Sequence, residues 1–254
     1  MERGCLGVVA AMPQEIAPLL RHVKVYKRER AAGFALYRFA VQGAPVLLIE
    51  SGMGPAHAKA ATETLISVAK PAVILNFGFA GGVLPGTEVG ELVLAERVLW
   101  LEQGRLTQAP QPDHELAAIL REACAGAQLT LKPGTFITTA AIMNKTQVAQ
   151  SLEAGVPHPV LEMETAAVLR VAGEAGIPVL AVRGVSDAAH EELGFSIEEF
   201  CDRELRISPA RILRCIAGKP WIIPQLVRLS GNSKKAGENL ARCVEVALKA
   251  LGSR

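Results

Sequence analysis

Apolar residues along this chain fall into short, unbroken runs separated by glycine, proline and small polar residues. Residues 6–10, 72–77, 91–100, 134–139 and 179–182 are such runs, rich in Val, Leu and Ile. Their length and lack of alternation predict strands buried on both faces. Residues 36–41 and 46–50 flank Gln42-Gly43-Ala44-Pro45 and read as a hairpin. Between these runs the period changes. A helix is expected from Pro13, because proline suits a first turn and Glu15 favours the positive end of the helix dipole. Further helices are expected over 56–68, closed by Pro71; over 113–125, capped by Asp113; and over 163–175, stopped by Gly176. Residues 235–251 place Leu240, Val244, Ala247, Leu248 and Leu251 on one face of a closing amphipathic helix. The glycines of Gly78-Phe79-Ala80-Gly81-Gly82 are expected to break the strand that precedes them. Around Lys219-Pro220-Trp221 no period is legible.

Strands alternating with helices call for an α/β protein. The expected architecture is one domain over residues 1–254, a three-layer α/β/α arrangement around a twisted, mostly parallel mixed sheet, with 201–254 as a divergent basic segment. Such sheets bind ligands beyond the carboxyl ends of their strands, where the glycine-rich and polar segments fall.

Composition narrows the partners. The 254 residues are 50% hydrophobic and 20% charged, which excludes a disordered chain and supplies an ordinary core. Aromatics at 4% argue against base stacking on single strands, and a net charge of +2 argues against a nucleic-acid binder. The charge is uneven, however. Residues 201–254 carry eleven Lys and Arg against four Asp and Glu, either a solvated basic face or a patch for an anionic partner. Five widely spaced cysteines without a CxxC pair read as free thiols of a reducing cytosol. The five histidines fall in no metal-ligand spacing, so neither a metal nor a cofactor is expected. No apolar run approaches the roughly 18 residues of a membrane span, and the opening segment reads as a first buried strand. The expected setting is therefore cytoplasmic, without stable membrane insertion.

Three segments offer chemistry. Ser51-Gly52-Met53-Gly54 departs from the dinucleotide fingerprint, with His57 at the sixth position and Leu75-Asn76 ending the next strand without a ribose-binding acid. The turn either offers N–H groups to an anion or hydroxyl, or is structural alone. Glu162-Met163-Glu164 stands at a strand-to-helix junction. Its acids either complement the helix dipole or accept both hydroxyls of a sugar. Ser186-Asp187 follows an apolar strand, where the Asp is either a helix cap or a general acid whose carboxyl must be raised by burial or a like charge. Glu15 has the same double reading, as a first-turn acid or a site residue.

Together these segments resemble the nucleoside phosphorylase and nucleosidase superfamily, nearest to its methylthioadenosine/S-adenosylhomocysteine nucleosidase type. The resemblance runs from Leu6 to Phe200. It rests on Ala11-Met12-Pro13-Gln14-Glu15-Ile16, Ser51-Gly52-Met53-Gly54, Asn76-Phe77-Gly78-Phe79-Ala80-Gly81-Gly82, and Glu162-Met163-Glu164 with Arg183-Gly184-Val185-Ser186-Asp187. It implies a homodimer or higher oligomer that cleaves the N-glycosidic bond of an adenine-type nucleoside. It also implies a role for each matching residue: Asp187 as the acid at the purine, with Ser186 beside it; Glu164 and its neighbour Glu162 at the ribose; Met163 packed on the sugar; Glu15 as the base for water. Met12, Gly78 and Phe79 would line the pocket, and Ile142 with Met143 would hold the base, where the family often stacks an aromatic ring. Two departures stand out. Asn76 occupies the place of a phosphate-clamping Arg, which favours water over phosphate as nucleophile. Phe79 replaces a small hydroxyl residue. The alternatives are phosphorolysis, including of a lipid-linked adenosyl substrate as in the hopanoid-associated branch, hydrolysis of futalosine, and nucleoside binding without turnover.

Overall fold

The computed structural model describes residues 4–189, 200 and 209–253. Ten strands and seven helices alternate for most of that length. In order they are β1 (Leu6–Ala10), α1 (Pro13–Val23), β2 (Lys27–Ala31), β3 (Phe34–Val41), β4 (Ala44–Glu50), α2 (Pro55–Ala69), β5 (Val73–Gly82), β6 (Leu92–Glu102) and β7 (Arg105–Gln108). There follow α3 (His114–Gly126), β8 (Leu131–Thr139), α4 (Lys145–Gln150), β9 (Pro159–Glu162), α5 (Thr165–Glu174), β10 (Val179–Asp187), α6 (Pro209–Gly218) and α7 (Ile223–Gly252). Asp113 caps α3 as its sequence position predicts, accepting a bond from the Leu116 N–H at 2.9 Å.

All ten strands form one sheet in the order β10-β6-β8-β9-β5-β1-β4-β3-β2, with β7 on β6. β1 lies parallel between β4 and β5, as buried apolar runs require. The β3–β4 hairpin and the short β2 and β7 extend the sheet antiparallel. Parallel and antiparallel pairings both run through the sheet, which is mixed and partly parallel. Strand β10 also pairs with β5, so β5, β9, β8, β6 and β10 close into a ring. Helices cover both faces. Ile16 and Leu19 of α1, Leu120 of α3 and Leu240, Val244 and Leu248 of α7 fill one core. Ala58, Ala61 and Leu65 of α2 with Val168 and Leu169 of α5 fill the other.

The glycine motif and the start of the closing helix depart from expectation. The glycine motif does not break its strand: β5 runs through to Gly82, paired with β10 and β9. Its glycines answer close approach instead. A Cβ at Gly78 would stand 2.8 Å from Glu15 Oε1, and one at Gly81 would stand 2.9 Å from both Asp187 Oδ2 and Lys145 Cε. Arg183 to Asp187 form the C-terminal end of β10, with Ser186 and Asp187 as its last two residues. The closing helix also starts well before residue 235, because the illegible stretch is itself helical: a 3₁₀ turn, Pro220–Ile222, leads straight into α7. Cys5, Cys124, Cys215 and Cys243 are in no disulfide; Cys201 lies outside the described residues.

Candidate functional site

At the carboxyl ends of β1, β5, β9 and β10 the expected residues gather. Glu15 sits in the first turn of α1 but turns its carboxylate inward, at 2% exposure. Oε2 accepts from the Ala11 and Met12 N–H groups at 2.9 Å each, and Oε1 from the Phe79 N–H at 2.7 Å. This explains why position 78 is glycine: the carboxylate rests against β5 where a Cβ would be. Burial pushes the Glu15 carboxyl above its ordinary range despite these donors and the nearby Arg183.

The β9–α5 junction is a hydrogen-bonded network around Arg183, which is almost fully buried and whose Nε has no hydrogen-bond partner. The Glu162 carboxylate pairs with Arg183 Nη2 at 2.6 Å. It also accepts from the Thr138 hydroxyl, the Thr165 hydroxyl at 2.7 Å and the N–H groups of Glu164 and Thr165 at 3.0 and 2.8 Å. Both its oxygens are thus committed to protein donors, and the bonds to the first N–H groups of α5 are the helix-dipole role that one sequence reading gave it. Burial raises the Glu162 carboxyl, but Arg183 and the two threonine hydroxyls outweigh it and hold the group below its ordinary value. Asn76 joins the network. Its Oδ1 accepts from Arg183 at 2.9 Å and lies 3.0 Å from the Thr165 hydroxyl oxygen, and its amide donates to the Val9 carbonyl at 3.1 Å.

Glu164, two residues on, is its electrostatic opposite. It stands at the N-cap of α5, where Oε1 accepts from the Gly54 N–H at 2.8 Å; Arg183 is only within 3.9 Å of Oε2. Burial, and then the Glu162 charge, push its carboxyl up to about 8 against the pull of Arg183 and Gly54; Glu15 raises it further. The Ser51-Gly52-Met53-Gly54 turn therefore does present a backbone N–H to an anion, and that anion is Glu164. Met163 between the two glutamates is half-buried.

Asp187 ends β10. Its Oδ1 lies 2.8 Å from the Ser186 hydroxyl, whose oxygen is also 3.4 Å from the Ala80 carbonyl. Its Oδ2 is in contact with the ammonium of Lys145, the first residue of α4. Lys145 also donates to the Asp187 and Ala188 carbonyls at 3.3 and 2.8 Å, tying α4 to the end of β10. Ile142 and Met143 lie in the segment leading into α4, and Met143 packs against Ile137, Val148 and Leu101. The Phe79 ring packs with the α1–α7 core, and a Cβ at Gly237 of α7 would stand 3.5 Å from its edge.

A cavity of about 290 Å³ opens beside Glu15. Met12, Ser51, Gly52, Met53 and Phe34 line it, together with Arg28 and Arg30 of β2. Of the residues expected in the site, Met12 alone reaches this lining; Glu15, Glu164 and Asp187 lie outside it. Lys145, Arg28 and Arg30 were not anticipated from sequence. Lys145 is separated from its partner by the length of β9 and α5, and β2 carries alternating charges that read as solvated surface.

This fold, with carboxylates at the strand ends, is that of nucleoside-processing α/β proteins. The chain matches the family model described as Phosphorylase superfamily over residues 6–217, and it belongs to that superfamily. It is 30% identical over 226 residues to the 5'-methylthioadenosine/S-adenosylhomocysteine nucleosidase of Actinobacillus succinogenes, covering 84% of this chain and 98% of that one. The enzyme of the same description from Haemophilus influenzae strain PittEE is 28% identical over 224 residues, covering 83% and 98%. Among solved structures, the futalosine hydrolase of Helicobacter pylori superposes with a TM-score of 0.74 at 17% identity, over 96% of this chain and 97% of that one. The Helicobacter pylori methylthioadenosine/S-adenosylhomocysteine nucleosidase superposes with a TM-score of 0.75 at 17% identity, over 97% and 98%.

Proposed function

We propose that this protein is an enzyme that hydrolyses the N-glycosidic bond of an adenine-type purine nucleoside. The observation that carries this is the pair of buried carboxylates, Glu15 and Glu164, both raised above the ordinary range at adjoining strand ends. Relatives named as nucleosidases, matched over nearly their whole length, support the substrate class. Glu15, a stronger base than a solvated glutamate, takes a proton from water, whose oxygen forms the new bond to the anomeric carbon. The C–N bond breaks with its electrons going to the purine, which takes up a proton from solvent relayed by the Asp187 carboxylate, oriented by Ser186. Glu164 gives up its proton as the nucleoside binds, and its carboxylate then accepts the sugar hydroxyls and steadies the positive charge that develops on the ring. Met163 and Met12 pack on the sugar; Ile142 and Met143 face the base; Gly78 and Phe79 shape the floor beside Glu15. Glu162 acts differently from its neighbour: with both oxygens bound to protein, it positions Glu164 and Arg183 and leaves the sugar to Glu164. Lys145 orients Asp187. The reading includes a homodimer, which sedimentation measures, and a cytoplasmic setting.

Water as nucleophile agrees with Asn76, whose polar atoms are engaged by Val9 and Arg183. One observation favours a second reading, phosphorolysis: Arg28 and Arg30 line the cavity next to Met12 and could receive an anion. The experiment is base release from methylthioadenosine, adenosine and other nucleosides with and without phosphate. Adenine and free sugar without phosphate are expected. Release only with phosphate, yielding a sugar 1-phosphate, assigns phosphorolysis. No release from any nucleoside in either condition overturns the enzymatic reading.

A further inference from the structure

Six large apolar side chains are exposed among the described residues, and three of them, Trp221, Ile223 and Val227, lie within seven positions, with Trp221 and Val227 at 67% and 68% exposure. They belong to a small helical hairpin built from α6, the 3₁₀ turn and the first half of α7. The hairpin has its own core: Ile222, Leu226 and Leu229 pack against Phe200, Ile212, Cys215 and Ile216. Its outward apolar residues are therefore not needed to hold it together. From 209 to 237 the sequence contains no Asp or Glu but carries Arg211, Arg214, Lys219, Arg228, Lys234 and Lys235. Arg211, Arg214, Arg228, Lys234 and Lys235 are exposed.

The hairpin also has a defined place. The far end of α7 rests at the amino ends of the strands, where Gly252 meets Leu6 and Ala44. Gly237 lies beside Phe79 and Pro18, near the carboxyl ends. The stretch from Ile223 to Lys235, roughly 20 Å at ~1.5 Å per residue, thus runs on toward and past the edge that holds Glu15, Glu164 and Asp187.

We propose that this hairpin is a docking surface for an anionic lipid bilayer. Tryptophan and aliphatic side chains enter the interfacial region, and exposed cations such as Arg211, Arg214 and Lys234 meet the negative headgroups, while Lys235 shares a pocket with Glu88 and Glu91. Charge complementarity selects this occupant: an apolar patch between copies of one chain would bring like charges together. No helix among the described residues is long and apolar enough to span a membrane, so the contact is peripheral. Docked this way, the protein turns the carboxyl edge of its sheet toward the bilayer, where an amphiphilic substrate is presented. The surface itself rests on no assumption about the reaction.

The test is flotation of the full chain with phosphatidylcholine vesicles, with and without phosphatidylserine. Flotation is expected only with phosphatidylserine, weakening as salt rises. R211E/R214E and W221S should each lower the bound fraction about tenfold, with thermal midpoint as the fold control. The chain has two tryptophans, and Trp100 is buried, so a blue shift of emission on adding the anionic vesicles reports Trp221 without any substitution. Failure of the wild type to float, or variants that float as it does, overturns the proposal. So does a dimer that W221S splits while vesicles are ignored, which would give the patch to a second copy. Base release measured on the same samples stands apart from all three outcomes.

Discussion

The β9–α5 junction and the end of β10 both present carboxylates to the same edge of the sheet, yet they treat charge in opposite ways. At the junction Arg183, Asn76, Thr138 and Thr165 close around Glu162 until every oxygen has a donor. At the end of β10, Asp187 has one lysine and one serine, and its side chain stays about a fifth exposed. The first region fixes a charge permanently and orders the backbone around it. The second leaves a carboxylate within reach of something that arrives. Glu164 stands between them, and its raised pKa follows first from burial and then from the Glu162 charge, which the more distant Arg183 and the single close N–H of Gly54 do not offset. Depth raises all three buried glutamates, and only Glu162, which has a close cation and hydroxyl donors as well as N–H groups, is brought back below its ordinary value.

The contrast can be broken at its strongest point first. Arg183→Met leaves Glu162 buried without its cation and should cost about 3–5 kcal/mol of stability, read as a lowered denaturant midpoint. Asp187→Asn should fold normally and lose at least about 10²-fold in kcat; near-full turnover there would remove Asp187 from the chemistry. Lys145→Met should lower kcat about tenfold, the worth of one charge-assisted hydrogen bond, with KM little changed and Lys145→Arg restoring part of the loss. An equal loss in KM would make Lys145 structural.

The smallest effect concerns protons. The Glu164 carboxyl is raised in the folded chain from an ordinary 4.5 to about 8, so the folded state binds the extra proton. Its contribution therefore favours folding below the ordinary value and is lost as pH climbs to about 8 and beyond. Thermal stability should decline across that window, and Glu164→Gln should flatten the decline. By the same logic, a nucleoside whose hydroxyls donate to the carboxylate should release protons on binding near pH 7, visible as a buffer-dependent heat in calorimetry. A heat independent of buffer would detach Glu164 from the sugar.

Much of this arrangement is legible along the chain. The Asp113 cap, the buried runs and the α1 start follow from local rules, because each is decided within a turn or two of its own sequence. The glycine motif misleads for a physical reason: glycine signals a turn when its conformation matters, but at Gly78 and Gly81 it is the missing Cβ that matters, and the groups filling that space come from α1, α4 and β10. Lys145 is hidden in the same way, since an ion pair that bridges α4 and β10 leaves no mark on the residues beside either partner. The difference between Glu162 and Glu164 is hidden as well, since two glutamates in adjoining positions acquire opposite shifts only once Arg183 has chosen between them.

The ring of strands carries one more consequence, for how the chain is made. β10 is the last of the described strands and lies between β5 and β6, which are complete some eighty residues earlier. On the ribosome, both of those strands wait with an unpaired apolar edge until residues 179–187 emerge, so the nascent chain passes through a stage whose open edges invite pairing with other chains. Production of this protein should accordingly depend on chaperones in a way its finished stability does not reveal, and truncations ending before residue 179 should aggregate where the full chain stays in solution.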